Sequence, residues 1–528
     1  MPIQATYPGV YVEEIPSGVR TIIGVATSIT AFIGRAPRGF PDKAVMVNNF
    51  GDYTRQYGGL NVDSTMSYAV KDFFLNGGGQ AIIVRVVNGA SPATITLNGT
   101  GGGLTLEAAS PGTWGRNLRA AVTYRTDVSS TTLFNLFVQE TTTVLGEVRV
   151  TGSESFLNVS TDSNDPRFIT RVLTNESSLV RVSALNGRPD ETLGSIPSIP
   201  PVGGGPILQY VNANSDGSDG SAPGATNYIG DPNLKSGLYA LDDADIFNLL
   251  CIPPPARGGD TDATVWTAAA AYCVSRRAML IVDPVANWDA NRDQAVTRAI
   301  AGKDAIGISG IASRNAALYF PRVMQRDTLR DNQLDTFVPC GIVAGVMAQT
   351  DATRGVWKAP AGIDAALSGV EALTVKLTDL ENGALNPLGI NCLRTFPVIN
   401  SVVWGARTLR GADIFADDYK YVPVRRLALY LEESLYRGSQ WVVFEPNDEP
   451  LWAQIRLSVG SFLHGLFRQG AFQGKTPREA YLVKCDKETT TQADINAGRV
   501  NILVGFAPLK PAEFVFLQIQ QLAGQIEV

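Results

Sequence analysis

Apolar residues recur at helical spacing through the C-terminal part of the chain. They predict two helices, Val424–Tyr436 and Leu451–Arg468, because residues four positions apart lie on one face of a helix. Asp448 precedes the second helix and is a residue type that caps helix N-termini. The short run Trp441–Phe444 between the helices is apolar and indicates a strand.

Two β-type runs follow, Val500–Ala507 and Glu513–Gln520, with prolines between them. The second run is apolar on nearly both faces, which is typical of a strand that is buried on both sides. Its alternating residues are Phe514, Val515, Phe516, Leu517, Gln518 and Ile519. Because an unpaired strand edge recruits another chain, we expect this run to pair with a neighbouring subunit.

The N-terminal residues 1–20 predict an extended arm. Three prolines, Pro2, Pro8 and Pro16, prevent a helix there. A short strand is predicted within the arm at Val10, Tyr11, Val12, Glu13, Glu14 and Ile15. Such an arm cannot bury itself, so it needs a partner sheet in its own chain or in a neighbour.

The N-terminal part beyond the arm predicts mixed helices and strands. The predicted elements are strands Thr21–Thr27, Ile29–Gly34 and Ala81–Val87, and helices Phe50–Tyr57 and Thr65–Leu75. Residues 90–200 instead show alternating Thr, Ser, Val and Asn, which predicts an inserted antiparallel β-domain. Residues 201–226 are rich in Gly, Pro and Ser and predict a linker.

Strand and helix patterns alternate from residue 227 onward, which indicates a doubly wound α/β layer. The strands predicted there include Ile246–Ile252, Ala278–Val282, Ala305–Ile311 and Ala316–Phe320. Gly341–Gln349 is predicted to be helical. Thr378 and Glu381 have the spacing of a capping box and predict the start of a short helix.

Composition indicates a large globular chain with many turns. It has 528 residues, 45% of them hydrophobic and 18% charged, enough for several domains at about 150 residues each. The net charge of −6 argues against a broad nucleic-acid-binding surface. The five cysteines form no CxxC pair, so we expect buried, reduced thiols. We expect no secretory signal and no membrane insertion, because the N-terminus has no basic or apolar signal region and no long apolar run occurs.

No motif carries an evident chemistry. Gly470–Thr476 is one residue short of a P-loop, and the EF-hand-like start at Asn212 has a proline where the bidentate Glu is required. His464, the only histidine, has no evident partner. We therefore predict no catalytic, cofactor-binding or metal-binding residues and no enzyme. The alternative is an α/β hydrolase on residues 227–350, which would need a nucleophile–base pair or a metal cluster.

Several long stretches resemble contractile tail sheath proteins. They are VPVRRLALYLEESLYRGSQWVVFEPND, GAFQGKTPREAYLVKCD, NILVGFAPLKPAEFVFLQI and GARTL, with YPGVYVEE and FLNGGG near the N-terminus. The resemblance implies a multidomain α/β (α+β) fold, in which N- and C-terminal segments build the sheath core domain and β-rich and α/β domains are inserted. The expected division is an exchange arm at 1–20, core at 21–89, β-rich domain at 90–200, linker at 201–226, α/β domain at 227–356 and C-terminal core at 357–528.

The resemblance also implies a function. Sheath subunits polymerise as stacked hexameric rings around an inner tube and contract to drive that tube through an envelope. The expected partners are further copies of the chain, the tube protein, and baseplate and terminator or cap proteins, with no cofactor and no nucleic acid. The chain would be made in the bacterial cytoplasm and become part of a phage tail or a contractile injection particle. Candidate tube contacts are Arg425, Arg426, Glu432, Glu433 and Arg437.

Overall fold

The structure, a computed structural model, describes residues 20–124, 130–193 and 208–518. Its strands are β1 (Thr30–Gly34), β2 (Ala44–Val47), β3 (Ala81–Arg85), β4 (Thr94–Leu97), β5 (Leu104–Ala108), β6 (Leu118–Thr123), β7 (Leu133–Val144), β8 (Glu147–Ser160), β9 (Val180–Leu185), β10 (Val211–Asn212), β11 (Leu249–Cys251), β12 (Met279–Val282), β13 (Ala316–Phe320), β14 (Val323–Asp327), β15 (Gln333–Phe337), β16 (Ala372–Leu373), β17 (Ile390–Phe396), β18 (Asn400–Val403), β19 (Tyr481–Lys484) and β20 (Leu503–Phe506).

The α-helices are α1 (Phe50–Tyr57), α2 (Thr65–Leu75), α3 (Ile169–Glu176), α4 (Ala225–Ile229), α5 (Ala263–Ser275), α6 (Ala286–Asp289), α7 (Ala295–Gly302), α8 (Cys340–Arg354), α9 (Asp379–Leu385), α10 (Val422–Gly438), α11 (Glu449–Arg468), α12 (Pro477–Ala480) and α13 (Gln492–Asn496). The predicted arm strand Val10–Ile15 and Ile519 lie outside the described residues.

The centre of the fold is an eight-stranded sheet in the order β18-β17-β13-β12-β11-β1-β3-β2. Its six inner strands run parallel, while β18 and β2 are antiparallel at the two edges. Strands β1, β3, β12 and β13 are completely buried, as expected for a parallel sheet covered on both faces. Helix α5 covers one face, and α2 and α8 cover the other. The multidomain α/β fold class is thereby confirmed.

The central sheet joins distant parts of the sequence. Strand β1 pairs with β11, which places β1 to β3 in one sheet with strands that lie between Leu249 and Val403. The sheet therefore crosses the domain boundaries expected at residues 89 and 356. Of the C-terminal segment expected to build the core domain with the N-terminal one, β17 and β18 belong to this sheet, whereas β19 and β20 form a separate two-stranded sheet. Hydrophobic periodicity indicates that a strand is buried but does not select its neighbour in the sheet.

Two smaller units flank the central sheet. In the first, a four-stranded sheet (β10-β6-β7-β8) and a three-stranded sheet (β4-β5-β9) share a core with α3. The second is C-terminal and packs α10 and α11 against β19 and β20, with Leu427, Trp452 and Leu463 among its buried residues. Asp448 caps α11 as the sequence predicts, its side chain accepting from the amide of Leu451 at 3.4 Å.

Three predicted strands are wrong. Trp441 and Val442 belong to a 3-10 helix that spans Gln440–Val442, and Phe444 has a φ of 70°, so the run Trp441–Phe444 cannot be extended. Ala305–Ile311 is interrupted by two glycines with positive φ and forms 3-10 turns. Thr21–Thr27 forms no ladder, because side chains of α10 bind its backbone instead.

Candidate assembly surfaces

The clearest unpartnered surface is the C-terminal segment beyond β20. Four consecutive apolar residues, Phe514, Val515, Phe516 and Leu517, are between 67% and 87% exposed. They belong to no strand, and the described part of the chain offers them no ladder partner. Burying each such side chain is favourable by about 1.5–3 kcal/mol of free energy, so binding of this segment to a second apolar surface would be strongly favourable. The predicted exchange strand, including Gln518, stays a prediction.

A second open surface is the two-stranded sheet of β19 and β20. Tyr481 to Lys484 pair with Leu503 to Phe506, and no third strand joins them within the described ranges. Leu482 and Leu503 are about half exposed on this sheet. Helix α11 packs against this sheet, but neither of its outer edges carries a further strand within the described residues, and an unpaired edge can accept one.

A cavity of about 760 Å³ lies where the C-terminal segment meets the body of the chain. Its lining combines aromatic rings with long cationic side chains, among them Trp357, Lys358, Trp404, Tyr421 and Lys510. The segment from Leu509 to Phe514 forms one of its walls. The cavity is therefore part of the assembly region and would change shape if that segment moved.

The beginning of the described chain lies against the C-terminal unit. The Arg20 guanidinium sits 4.6 Å from the centre of the Trp441 ring and 3.9 Å from Glu445. Ile22 is buried in the core formed by α10 and α11. The described chain therefore starts in contact with the C-terminal unit, and the arm strand at Val10–Ile15 stays a prediction.

The charged residues of α10 are largely engaged inside the subunit. Arg426 is buried and binds Asp351 with two hydrogen bonds of 2.9 and 2.6 Å. Arg425 donates to Asn315 and pairs with Glu432. The bonds to Asp351 and Asn315 attach α10 to the body, whereas the pair of Arg425 and Glu432 lies within the helix. Of these α10 residues, only Glu432 remains about two-fifths exposed.

The other two candidate tube contacts are also paired. Glu433 accepts from Arg277 at 2.8 Å and from Arg437 at 2.7 Å. Arg437 additionally bonds Asp245 at 2.8 Å. In this conformation Arg426 and Glu433 offer almost no surface to a partner. A tube contact by this helix stays a prediction, and it would require the more exposed Glu432 and Arg437.

The sequence features weighed as sites have structural roles. His464 lies near the Tyr481 hydroxyl, and Gly470 continues the chain after α11 with φ of 81°. Asn214 bonds Thr94 and Thr96, closing a loop rather than presenting its oxygens. Across residues 20–124, 130–193 and 208–518, no group of three or more His, Cys, Asp or Glu could hold a metal ion. The expectation of buried free thiols is confirmed for all five cysteines.

Sequence reasoning missed two residues at the C-terminal segment, Arg407 and Glu513. Arg407 is almost completely buried and pairs with Glu513 at 2.7 Å. Glu513 could have been recognised from the sequence as a lone acidic residue at the start of an apolar run. GARTL contains Arg407, but no periodicity in the sequence connects residues so far apart.

Within the described residues, the fold carries an exposed apolar segment, Phe514–Leu517, and an open two-stranded sheet, which are features of a self-assembling structural protein. Two family models match the chain: the phage tail sheath protein central domain at residues 227–409, and the phage tail sheath C-terminal domain at residues 416–521. Together they match more than half of the 528 residues. The chain belongs to the phage tail sheath family.

Similar proteins agree with this assignment. The tail sheath protein of Vibrio phage KVP40 is 26% identical over 188 residues, which are 35% of this chain and 27% of that protein. The match thus spans about a quarter of that relative's length.

Solved structures share the whole fold. The sheath of an extracellular contractile injection system, PVC, in the contracted state has a TM-score of 0.57 at 22% identity and covers 98% of this chain and 99% of that one. The helical sheath of the anti-feeding prophage (AFP) in the contracted state gives 0.55 at 24% identity with the same coverage. A sheath tail protein from Listeria innocua gives 0.57 at 12% identity, covering 93% of this chain and 96% of that one.

These comparisons overturn the hydrolase alternative. Residues 227–350, on which it was placed, lie within the stretch that matches the sheath central domain.

The helices of the described residues include none that is long and apolar enough to cross a membrane.

Proposed function

We propose that this chain is the structural subunit of a contractile sheath. Copies would polymerise as stacked hexameric rings around an inner tube, and shortening of the sleeve would drive the tube through a target envelope. The observation that carries the proposal is the exposed apolar segment Phe514–Leu517 at the end of a sheath-family fold. The AFP and PVC sheaths of similar fold are known in contracted states.

Strand exchange is the physical basis proposed for the polymer. Phe514–Ile519 of one copy, and Val10–Ile15 of another, would add strands to the open sheet of β19 and β20 in a neighbour. Main-chain hydrogen bonds would supply connection and the alternating apolar side chains would supply burial. A link made by flexible chain ends can persist while the larger domain surfaces slide past one another.

Contraction would then be a rigid-body change between two packings of the same linked subunits. The extended sleeve stores free energy in contacts between subunits that have not yet formed, and contraction releases it as they form. No cofactor is required by this scheme. The tube, baseplate and terminator or cap proteins are the proposed partners, within a phage tail or a contractile injection particle that assembles from cytoplasmic chains. Neither nucleic-acid binding nor membrane insertion is part of the proposal.

The test is negative-stain electron microscopy of the purified full chain, with and without its tube protein. Striated sleeves or hollow cylinders are expected. Two variants test the segments: removal of residues 1–18, and the pair Phe516→Ser with Leu517→Ser. Both should leave a folded subunit by circular dichroism but abolish polymers.

The matched control is the pair Leu145→Ser with Leu380→Ser, which removes two equally exposed apolar side chains elsewhere. These variants should still assemble. Uniform small particles from the unaltered chain under both conditions would refute the proposal. Normal sleeves from the arm truncation would refute strand exchange by the N-terminal arm alone.

A further inference from the structure

Glu513 attaches the C-terminal segment to the body of the subunit. Its two carboxylate oxygens accept from Arg407 Nε and a terminal nitrogen, each at 2.7 Å. Asn386 donates to the same carboxylate at 2.8 Å and the Tyr421 hydroxyl at 3.0 Å. Although burial opposes the charge, the hydrogen bonds from Arg407 and Asn386 hold the pKa of Glu513 below its usual value. This is a complete receptor for one carboxylate.

The receptor is rigidly joined to the central sheet. The Arg407 side chain is 1% exposed, and its remaining terminal nitrogen donates to the Asn386 carbonyl and to Asp413, both at 3.0 Å. The Arg407 amide donates to the side chain of Asn391, which lies on β17. A bidentate arginine–carboxylate pair fixes orientation as well as distance. Glu513 is therefore held in one place relative to β17.

This attachment takes the chain away from the unit that precedes it. Strand β20 ends at Phe506 in the C-terminal unit, and Pro508 and Pro511 lie in the stretch that leads to Glu513. Without the attachment, residues 507–513 would be long enough for a connecting loop that returns Phe514–Leu517 to the edge of β20. That self-pairing would occupy the open sheet edge and hide the apolar residues.

We propose that Arg407 is a positioning residue that holds Glu513 and thereby keeps Phe514–Leu517 available to a neighbouring copy instead of to its own sheet. The inference rests on the proposed function, since it names how the exchange segment is presented. Arg407 itself would not contact the neighbour. Its effect on assembly acts through the direction in which the segment leaves the subunit.

The test uses Glu513→Gln, which removes the charge but little volume. Because Glu513→Gln weakens a pair with the buried Arg407, its thermal unfolding midpoint should fall, and assembly is therefore compared at a temperature at which circular dichroism shows both chains to be fully folded. The matched control is Glu371→Gln, which weakens an exposed bidentate pair with Arg326. The motion of the segment is measured by electron paramagnetic resonance with a nitroxide label on the Gln518→Cys variant. The label should react with this cysteine alone, because all five native cysteines are buried.

Glu513→Gln should change the nitroxide line shape and raise the concentration for half-maximal assembly at least about tenfold, as expected for losing a charge-assisted hydrogen-bond pair. Glu371→Gln should change neither. An unchanged line shape, or a changed line shape with normal assembly, would overturn the role of Arg407. Failure of the unaltered chain to polymerise would instead count against the proposed function, so the two failures are distinguishable.

Discussion

The buried pair of Asp351 and Arg426 should be the strongest single tie between the central fold and the C-terminal unit. Asp351 lies in α8 and Arg426 in α10, and their side chains are only 4% and 3% exposed. Arg426 also donates to the carbonyl of Thr27 at 2.9 Å, so one guanidinium holds three segments together. Asp351→Ala would leave this guanidinium buried with only one acceptor.

The expected cost follows from that geometry. Removing one partner of a buried, bidentate ion pair costs about 3–5 kcal/mol, because the remaining charge is uncompensated. Urea denaturation followed by circular dichroism measures the loss of unfolding free energy. The double variant Asp351→Leu with Arg426→Met should recover most of it, since apolar residues of similar size remove both charges.

Glu371→Ala is the control that separates the effect of burial from the effect of bidentate geometry. Its pair with Arg326 is also bidentate, but the side chains are 48% and 59% exposed, so the expected cost is at most about 1 kcal/mol. A loss below about 1 kcal/mol for Asp351→Ala would show that burial of this pair does not govern its energy, and the reasoning would be refuted.

Three further predictions concern stability and accessibility. Gly341→Ala should destabilise the fold by about 1–3 kcal/mol in urea titrations, because the added Cβ would lie 2.1 Å from the Ala69 carbonyl oxygen. Gly460→Ala, which has free space around it in α11, should instead stabilise the fold by up to about 1 kcal/mol. Equal effects of the two substitutions would contradict the close packing of α2 and α8. Burial raises the pKa of Asp72 to about 7 from 3.8, so the native state binds the proton more tightly and stability should fall as pH rises from about 4 to about 7; Asp72→Asn should flatten that dependence in melting scans, and an unchanged profile would contradict it. Ellman's reagent should find almost no reactive thiol in the native chain and five in guanidinium chloride, and rapid native reaction would contradict the buried positions.

Local elements could be predicted wherever the sequence itself carries their physics. The apolar pattern predicts a helix at Val424–Tyr436, and α10 extends over Val422–Gly438. An apolar stripe and its polar opposite face specify a helix without reference to the rest of the fold. The capping box of Thr378 and Glu381 was predicted from spacing and is present in both directions. Both depend on residues within a few positions of each other.

Predictions failed where neighbouring structure overruled a local pattern. The apolar run Trp441–Phe444 has strand composition, yet Trp441 contacts Arg20 and the run turns at Phe444. Thr21–Thr27 has strand composition too, but Ser434 and Arg426 of α10 satisfy backbone groups that a neighbouring strand would otherwise bind. Strand propensity describes how well a residue fits into a sheet, and the described part of the chain places no sheet edge beside either run.

By itself the sequence determined the family, the mixed α/β class, the main helices and the apolar character of the C-terminal segment. The tertiary structure alone decided which strands are neighbours, so that β1 lies between β3 and β11. It also decided which charged residues of α10 form ion pairs within the subunit, such as Arg426 with Asp351. It alone brought Glu513 to Arg407, residues separated by 106 positions. The physical reason is that periodicity records the environment of a residue, whereas the identity of its partner depends on how the whole chain closes around it.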